Sequence, residues 1–399
     1  MTWPTLTLRE LAISDGQYGL GSPSKEFRDG DPRYVRITDI RDNGQLSADA
    51  VAPDCGASDW RQALLKEGDL LFARSGATVG KTYLHPPGEA PAVYAGYLIR
   101  FQLNPDRVLP KFVFHYTKSR AYSTWVASTQ RAVAQPNINA KQYAELPVPV
   151  PPLDEQRRIV AILDHADDLR TKQRCVVVAL DRLIRAIFAA TFDACPSGPR
   201  WPIARLGDVV PSIDSGTSPV CENRTASDGE WGVLKLGAIS YGVFNPEENK
   251  AFLGDPASIR KVEVEPGDLL FSRKNTKELV GATAIAYRTL PRLLLPDLIF
   301  RLNLDRDRVD AEYLHALLRS TRTRPAVVAL ASGSASSMSN ISKGRLAELL
   351  IELPPIELQH AYSDRVRAVN ALRDQSSRVL VELDDLLSTL QSRAFSGQL

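Results

Sequence analysis

Two short segments of the sequence place basic, hydroxyl and amide side chains directly after an apolar run. The segments are GDLLFAR at 68–74 and GDLLFSR at 267–273, and each apolar run predicts a strand that ends in a polar turn. Arginine and asparagine can contact guanine and adenine edges with two hydrogen bonds, while lysine more often meets a phosphate. The turns therefore contain candidates for DNA contacts. These candidates are Arg74, Ser75, Thr78, Lys81, Arg273, Lys274, Asn275 and Lys277.

A second pair of polar segments precedes the last predicted strand of each half of the chain. They supply six further candidates for DNA contacts, which are Gln135, Asn137, Asn139, Ser337, Asn340 and Ser342. Asparagine and serine are also frequent in turns, because their side chains hydrogen-bond to nearby backbone. A purely local structural role is therefore the alternative for each of these residues.

Positive charge is concentrated in two stretches, although the whole chain has a formal net charge of only +2. Residues 66–141 contain ten Lys or Arg against four Asp or Glu, and residues 267–345 contain thirteen against seven, so each stretch has a net charge of +6. A basic surface with interleaved polar side chains suits phosphates and base edges. A solvated basic face is the alternative for either stretch alone, and its recurrence favours a nucleic-acid partner.

Sequence patterns for other chemistries are weaker. The segment SGATVGKT at 75–82 has three residues between its two glycines, whereas a phosphate-binding loop needs four, so we expect no ATP site. The five histidines are dispersed without a His-x-x-x-His pair, which argues against a metal centre. The adjacent aspartates at 167–168 and 384–385 fall on helix flanks and form no convergent pair of carboxylates. We therefore expect no catalytic residue, no metal and no cofactor in this chain.

The cysteine pattern and the hydropathy of the sequence indicate the cellular compartment of the protein. The four cysteines, at positions 55, 175, 195 and 221, contain no Cys-x-x-Cys pair, which argues against a zinc site and a disulfide framework and favours a reducing cytosol. No apolar run reaches the length of about 18 residues that a membrane-spanning helix needs, and no charged-then-apolar leader opens the sequence. We therefore predict a cytoplasmic protein without membrane contact.

Two long segments have the apolar spacing of coiled-coil helices. From Ile159 onward apolar residues recur at alternating spacings of three and four, and residues after 354 repeat this pattern. Pro-Pro pairs precede both segments, since proline does not fit inside a helix. Each helix would be roughly 55 to 60 Å long and needs a partner to cover its stripe. The predicted seam consists of Ile162, Leu169, Gln173, Val176, Leu180, Leu183, Val369, Leu372, Ser376, Val379, Leu383 and Leu386.

The two halves of the chain are divergent copies of one another. Trp3-Pro4 matches Trp201-Pro202 at an offset of 198, GDLLF recurs at 199, and Gln156 matches Gln359 at 203. The drift of the offset places small insertions in loops and leaves the helix register unchanged. The repeat predicts globular domains at 1–150 and 199–352, a central long helix at 151–195 and a C-terminal long helix at 354–397.

The predicted fold is α+β, with two similar globular domains joined by two long helices that pack as an antiparallel coiled coil with a pseudo-twofold internal repeat. Gln173 and Ser376 interrupt the seams at equivalent places near the middle of each helix. Midpoints meet in an antiparallel pair, so these polar side chains would face each other and fix the register. The alternative is that both lie at the seam edge and bond water.

The ordered set of motifs resembles the specificity subunit of type I restriction-modification enzymes. Two divergent domains each open on Trp-Pro, contain GDLLF followed by an arginine, and end in a Pro-Pro-x-x-x-Gln entry to a long helix, and the chain terminates in SRAFSGQL. The resemblance covers essentially the whole chain. No single motif is specific, but the ordered, duplicated set is.

The resemblance implies that each globular domain is a target recognition domain that reads one half of a bipartite double-stranded DNA sequence. It also implies that the helices form a spacer and dock two copies of the modification subunit, an adenine methyltransferase that would hold S-adenosylmethionine. ATP-dependent restriction subunits, which translocate and cleave DNA, can join such a complex. The specificity subunit would itself be non-catalytic.

Two other functions stay open from the sequence. A coiled-coil assembly scaffold could bind two protein partners through its duplicated domains without DNA, and its affinity would change little with salt, whereas phosphate contacts weaken steeply. A self-contained nuclease or methyltransferase is disfavoured. The Asn/Asp-Pro-Pro-aromatic motif of amino-methyltransferases, which serves a flipped base, is missing from the sequence, and so is a Gly-rich cofactor loop.

Overall fold

The computed structural model describes residues 3–130, 136–193, 201–255, 257, 262–332 and 338–399, and the chain divides into two compact units. The first unit contains residues 1–175 and 377–399, and the second contains residues 176–376. Each unit therefore combines one globular part with a segment of each long helix. Two predicted DNA contacts, Gln135 and Ser337, lie outside the described residues.

The globular part of the first unit is an α+β domain built around a four-stranded antiparallel sheet. Its strands are β1 (Thr5–Thr7), β2 (Gln17–Tyr18), β3 (Ser24–Glu26), β4 (Arg33–Val35), β5 (Val51–Pro53), β6 (Leu70–Ala73), β7 (Thr82–Leu84), β8 (Ala92–Tyr94), β9 (Leu98–Phe101) and β10 (Pro147–Pro149). Its short helices are α1 (Leu8–Leu11), α2 (Ala57–Trp60), α3 (Pro110–Tyr116), α4 (Arg120–Gln130) and α5 (Ala140–Ala144). The main sheet has the order β2-β9-β6-β7, and β1 pairs with β10, β3 with β5 and β4 with β8.

The second unit repeats this architecture after the long helix α6 (Leu153–Phe188). Its strands are β11 (Ile203–Arg205), β12 (Ser212–Ser215), β13 (Trp231–Leu234), β14 (Asn249–Phe252), β15 (Asp268–Ser272), β16 (Lys274–Asn275), β17 (Thr283–Ala286), β18 (Leu293–Leu294), β19 (Ile299–Asn303), β20 (Ser339–Asn340) and β21 (Leu350–Glu352). Its helices are α7 (Ala311–Arg319), α8 (Arg324–Ala329), α9 (Lys343–Ala347) and the long helix α10 (Ile356–Phe395). The main sheet has the order β12-β19-β15-β17, so the two GDLLF strands, β6 and β15, occupy equivalent inner positions.

Equivalent aromatic residues attach the end of a long helix to each domain. In the first unit the ring of Phe395 lies 5.4 Å from that of Phe112 and packs edge-on. In the second unit Phe192 lies 4.8 Å from Tyr313 and 5.3 Å from Tyr362. Each fully buried aromatic side chain contributes about 1.5–3 kcal/mol to stability, so the long helices belong to the domain cores.

Within each unit the two long-helix segments run antiparallel. In the first, Arg158 donates to the carbonyl of Leu399 at 2.7 Å, and Arg170 lies 3.5 Å from Asp384. In the second, Arg373 lies 3.5 Å from Asp181. Residues with higher numbers in α6 therefore lie beside residues with lower numbers in α10. Among the described residues no helix is long and apolar enough to cross a membrane.

The least exposed positions of the long helices differ in part from the predicted seam. Six predicted seam residues are buried or half-buried, namely Ile162, Gln173, Leu180, Val369, Ser376 and Leu383. The other six are between 36% and 54% exposed, and they are Leu169, Val176, Leu183, Leu372, Val379 and Leu386. Next to each of these six, the following residue is less exposed.

Two of these six following residues are arginines, which the hydrophobic pattern did not predict for the seam. Arg170 and Arg373 follow the exposed Leu169 and Leu372, yet their side chains are only 16% and 17% exposed. A hydrophobic pattern ranks leucine above arginine for a buried site, whereas here each arginine is paired with an aspartate. The proposed contact between Gln173 and Ser376 stays a prediction.

A buried glutamine fastens the start of each long helix to its domain. Gln156 is fully buried, and its Nε2 donates to the carbonyls of Pro151 at 2.8 Å and Arg107 at 3.2 Å. Its Oε1 accepts from the backbone N–H of Leu109 at 2.8 Å. One side chain therefore satisfies three backbone groups at the helix entry and at the start of α3.

The second unit reproduces this joint with Gln359. Its Nε2 donates to the carbonyls of Pro354 at 2.8 Å and Arg308 at 3.2 Å, and its Oε1 accepts from the N–H of Asp310 at 2.9 Å. The close agreement of all three distances with those around Gln156 identifies the Pro-Pro-x-x-x-Gln motif as a structural joint.

The joint predicts the effect of replacing its glutamine. Gln156→Leu keeps the side-chain volume but leaves one N–H and two carbonyls without partners, and each buried unsatisfied group costs about 1–3 kcal/mol. We expect the free energy of unfolding to fall by at least about 3 kcal/mol, seen as a lower midpoint in thermal unfolding of the full chain. Gln45→Leu, at an exposed glutamine, is the control and should leave the midpoint unchanged. Equal midpoints for both variants would contradict the joint.

Candidate nucleic-acid interface

An arginine and an asparagine meet at the end of the GDLLF strand in the first unit. The Nε of Arg74 donates to Oδ1 of Asn137 at 3.4 Å, across 63 residues of sequence. The guanidinium carbon lies 4.9 Å from the ring centroid of Tyr18, close enough for a cation–π contact. Arg74 is half-buried, and these two contacts hold its side chain in place.

The same pair occurs in the second unit. The Nε of Arg273 donates to Oδ1 of Asn340 at 3.2 Å, and its guanidinium carbon lies 5.1 Å from the ring centroid of Phe300. The structure therefore brings together one predicted residue from the strand turn and one from the later polar segment, in both units. The aromatic residues beneath the arginines, Tyr18 and Phe300, were not identified from the sequence, because they come from different strands, β2 and β19.

A glycine in the left-handed region closes each turn. Gly80 has φ +87° and Gly281 has φ +75°. This left-handed backbone conformation is unfavourable in free energy for residues that have a Cβ. A Cβ on Gly80 would lie 2.9 Å from Val126, and one on Gly281 would lie 2.4 Å from Val327. The turn beyond each arginine can therefore approach its neighbouring helix only with glycine.

The other predicted residues of the first turn have local partners. Thr78 donates to the carbonyl of Ser75 at 3.0 Å, which closes the turn. Lys81 forms an ion pair with Asp42 at 2.9 Å, and this contact directs its ammonium toward a neighbouring loop. Asn139 caps α5, where its side chain accepts from the N–H of Gln142 at 2.9 Å.

In the second unit Asn275 is buried and accepts from the N–H of Thr276 at 2.9 Å. Ser342 caps α9 by accepting from the N–H of Arg345 at 3.3 Å. Lys274 is half-buried and Lys277 is exposed. Hydrogen bonds to nearby backbone thus account for several of the amide and hydroxyl groups, which agrees with the alternative of a purely local structural role. DNA contact by the predicted residues stays a prediction.

A basic residue packed against a glycine holds a loop in each unit, and sequence reasoning missed both. Lys118 donates to the carbonyl of Asp42 at 3.5 Å, and Arg319 donates to the carbonyl of Gly242 at 3.4 Å. Gly44 and Gly242 both have φ +80° and leave no room for a Cβ beside the cation. Burial lowers the pKa of Lys118 to about 8 and also lowers the pKa of Arg319. The sequence signal for the two cations is their offset of 201 residues, which equals the offset between Gly80 and Gly281.

Metal chemistry has no structural support in the described ranges. There, no group of three or more His, Cys, Asp or Glu side chains is arranged to hold a metal ion. The side chains that the repeat brings together are basic and amide groups, which suit anions and base edges.

Comparison with known proteins finds specificity subunits of type I restriction enzymes. Residues 29–175 match the model of the type I restriction modification DNA specificity domain. The chain is 30% identical over 193 residues to the specificity subunit of the type I restriction enzyme EcoEI of Escherichia coli. Both matches make the chain similar to specificity subunits of type I restriction-modification enzymes. This match spans 48% of the chain and 31% of that relative, so the chain covers about a third of the EcoEI subunit's length.

Other specificity subunits match over a larger share of both chains. The EcoKI subunit of Escherichia coli K12 is 22% identical over 356 residues, covering 83% of this chain and 75% of the relative. The MjaVIII subunit of Methanocaldococcus jannaschii is 19% identical over 371 residues, covering 85% and 81%. All of these relatives are specificity subunits of type I restriction enzymes.

Solved structures share the fold. The type I specificity subunit from M. genitalium has a TM-score of 0.60 at 14% identity, covering 99% of this chain and 96% of that one. A chain from a study of assembly and conformational transition in a type I restriction-modification system has a TM-score of 0.56 at 21% identity, covering 100% and 98%. The predicted α+β fold with two long helices is confirmed.

The glycine turn of the second unit predicts a large effect for a small substitution. Gly281→Ala places a Cβ against Val327 at a positive φ, which costs about 1–2 kcal/mol for the backbone and about 1–3 kcal/mol for overpacking. We expect a lower thermal unfolding midpoint. Gly344→Ala, in α9 with open space around it, is the matched control and should raise stability slightly. Loss of stability in both variants would point to a general sensitivity to alanine.

Proposed function

We propose that the chain is a specificity subunit that reads a bipartite DNA sequence, one half-site with each globular domain, and directs an associated adenine methyltransferase to it. Residues 1–150 and 199–352 would be the target recognition domains, and residues 151–195 and 354–397 the spacer helices. The recurrence of the arginine–asparagine pair in two domains that each contain a basic stretch and different loops is the observation that carries this proposal. It supports one design used for two different sequences.

The spacer role follows from the stiffness of the helices. Half-sites read from one side of a duplex lie about 34 Å apart, or one helical turn, and helices of 36 and 40 residues give lengths of about 54 and 60 Å. Each helix is fastened to a domain core by a buried glutamine and by aromatic packing. We propose that helix length sets the gap between half-sites and that the loops set the bases. A cytoplasmic location, beside the DNA and the methyltransferase, belongs to the same proposal.

Exposed aliphatic residues along the long helices support partner docking. In the first unit Leu169, Val379 and Leu386 are exposed, and in the second unit Val176, Leu183 and Leu372 are exposed. Along each helix these residues are seven apart, the repeat that lets a second helix pack against a first. We propose that each unit docks one modification subunit through these residues, which gives two copies for each specificity subunit, and that restriction subunits can join.

Methylation mapping tests the addressing role. The chain is co-expressed with its neighbouring methyltransferase, and methyladenine is mapped in genomic DNA beside cells that lack the chain. We expect methylation at one split motif, and only when both proteins are present. Methylation at unsplit sites, or methylation unchanged without the chain, would favour the scaffold.

The docking proposal predicts different effects for two neighbouring valines. Val176 belongs to the exposed heptad residues, whereas Val178 is similarly exposed, 43% against 49%, but lies about 200° further around the helix. Val176→Asp should weaken co-purification with the methyltransferase at least tenfold, because it places a charge in an apolar contact, while Val178→Asp should not. Loss of association in the Val178 variant alone would place the partner on the other face.

A further inference from the structure

We propose that the Arg74–Asn137 and Arg273–Asn340 pairs are phosphate contacts that hold the DNA backbone in the same way at both half-sites and do not read bases. This inference rests on the proposed function and states that the two pairs would contact the phosphates of the DNA. It is carried by their repeated geometry.

The guanidinium groups are oriented before any ligand binds. Each Nε is occupied by an asparagine Oδ1, and each plane is supported by an aromatic ring. In the described part of the chain neither arginine has a hydrogen-bond acceptor for its terminal nitrogens, Nη1 and Nη2. A fixed guanidinium with two open terminal nitrogens matches the oxygens of a phosphate.

The backbone fixes both arginines with the same pair of hydrogen bonds. The N–H of Arg74 donates to the carbonyl of Tyr97 at 3.0 Å, and its own carbonyl accepts from Ile138 at 2.9 Å. The N–H of Arg273 donates to the carbonyl of Leu298 at 3.1 Å, and its own carbonyl accepts from Ile341 at 2.8 Å. Because the residue after each asparagine makes the second bond, the asparagine always arrives beside the guanidinium.

Repetition indicates what the pairs can recognise. The residues that follow the arginines differ, with Ser75-Gly76 in one domain and Lys274-Asn275 in the other. Two domains that read different sequences can share a contact only to something that both half-sites have. The phosphate backbone is the same in every sequence, and phosphate contacts fix register and orientation without reading bases. The divergent loops beside the pairs are left to read the bases.

Salt titration of DNA binding tests the assignment. The complex of the full chain with its methyltransferase is titrated with target and non-target duplexes between about 50 and 200 mM salt, a range over which phosphate contacts dominate changes in affinity. Arg74→Ala and Arg273→Ala should each lower the slope of log K against log salt by about one. Both should weaken binding to target and non-target DNA by the same factor, and the methylated motif should stay unchanged. Asn137→Ala should weaken binding less than Arg74→Ala, because the guanidinium remains but is less well oriented.

Arg61→Ala, at an exposed arginine in a short turn of the first domain, is the control and should leave the slope unchanged. Thermal unfolding confirms that the variants are folded. A methylated motif that changes in one half would make the arginine a base-reading residue and overturn the assignment. An unchanged slope in folded variants would mean that the pair only connects two segments of the protein and does not contact phosphates. A wild-type complex without salt-dependent binding would instead refute the proposed function itself.

Discussion

The hydrogen bonds of one buried glutamine in each unit determine how the long helices leave their domains. Gln156 and Gln359 each satisfy three backbone groups that would otherwise be buried without partners, and a helix start leaves N–H groups that need such partners. Without this joint the helix could swivel about its Pro-Pro entry, since proline removes a donor at that point. Because the joint is made of directed bonds, it fixes the angle of the helix, whereas apolar contacts alone would tolerate several. The proposed spacer role, in which helix length would set a distance on DNA, depends on this rigidity.

The second constraint is the arginine–aspartate pair that crosses the helices within each unit. Arg170 with Asp384 and Arg373 with Asp181 are related by the same sequence offset in both members, with the same 3.5 Å separation. An arginine in a partly buried seam is costly unless it is paired. A slipped register would remove the aspartate and leave the charge unpaired. The pairs therefore disfavour other registers, as the polar seam residues Gln173 and Ser376 were expected to do.

Much of the fold was predictable because it depends on repeated local signals. The Pro-Pro entries, the heptad spacing and the GDLLF strands each specify a local structure, and their similar offsets of 198 to 203 residues indicate that they belong to equivalent elements. The seam was predicted only in part. Leu169 and Arg170 differ by about 100° around the helix, and hydrophobicity favours the leucine for the buried place, whereas the structure buries the arginine because Asp384 lies opposite. Pairing between distant residues is not visible in a spacing pattern.

The candidate interface shows the same division between local and long-range information. Arg74 and Asn137 were both selected from the sequence as polar residues after or before a strand, but their contact depends on a backbone bond between distant parts of the chain, from Ile138 to Arg74. The rings of Tyr18 and Phe300 come from yet another strand and could not be assigned by motif. Long-range sheet pairing therefore builds the repeated contact, while the short loops that carry divergent residues stay free of it. In the proposed function, loop substitutions would change the bases that are read without disturbing the contacts that hold the DNA backbone.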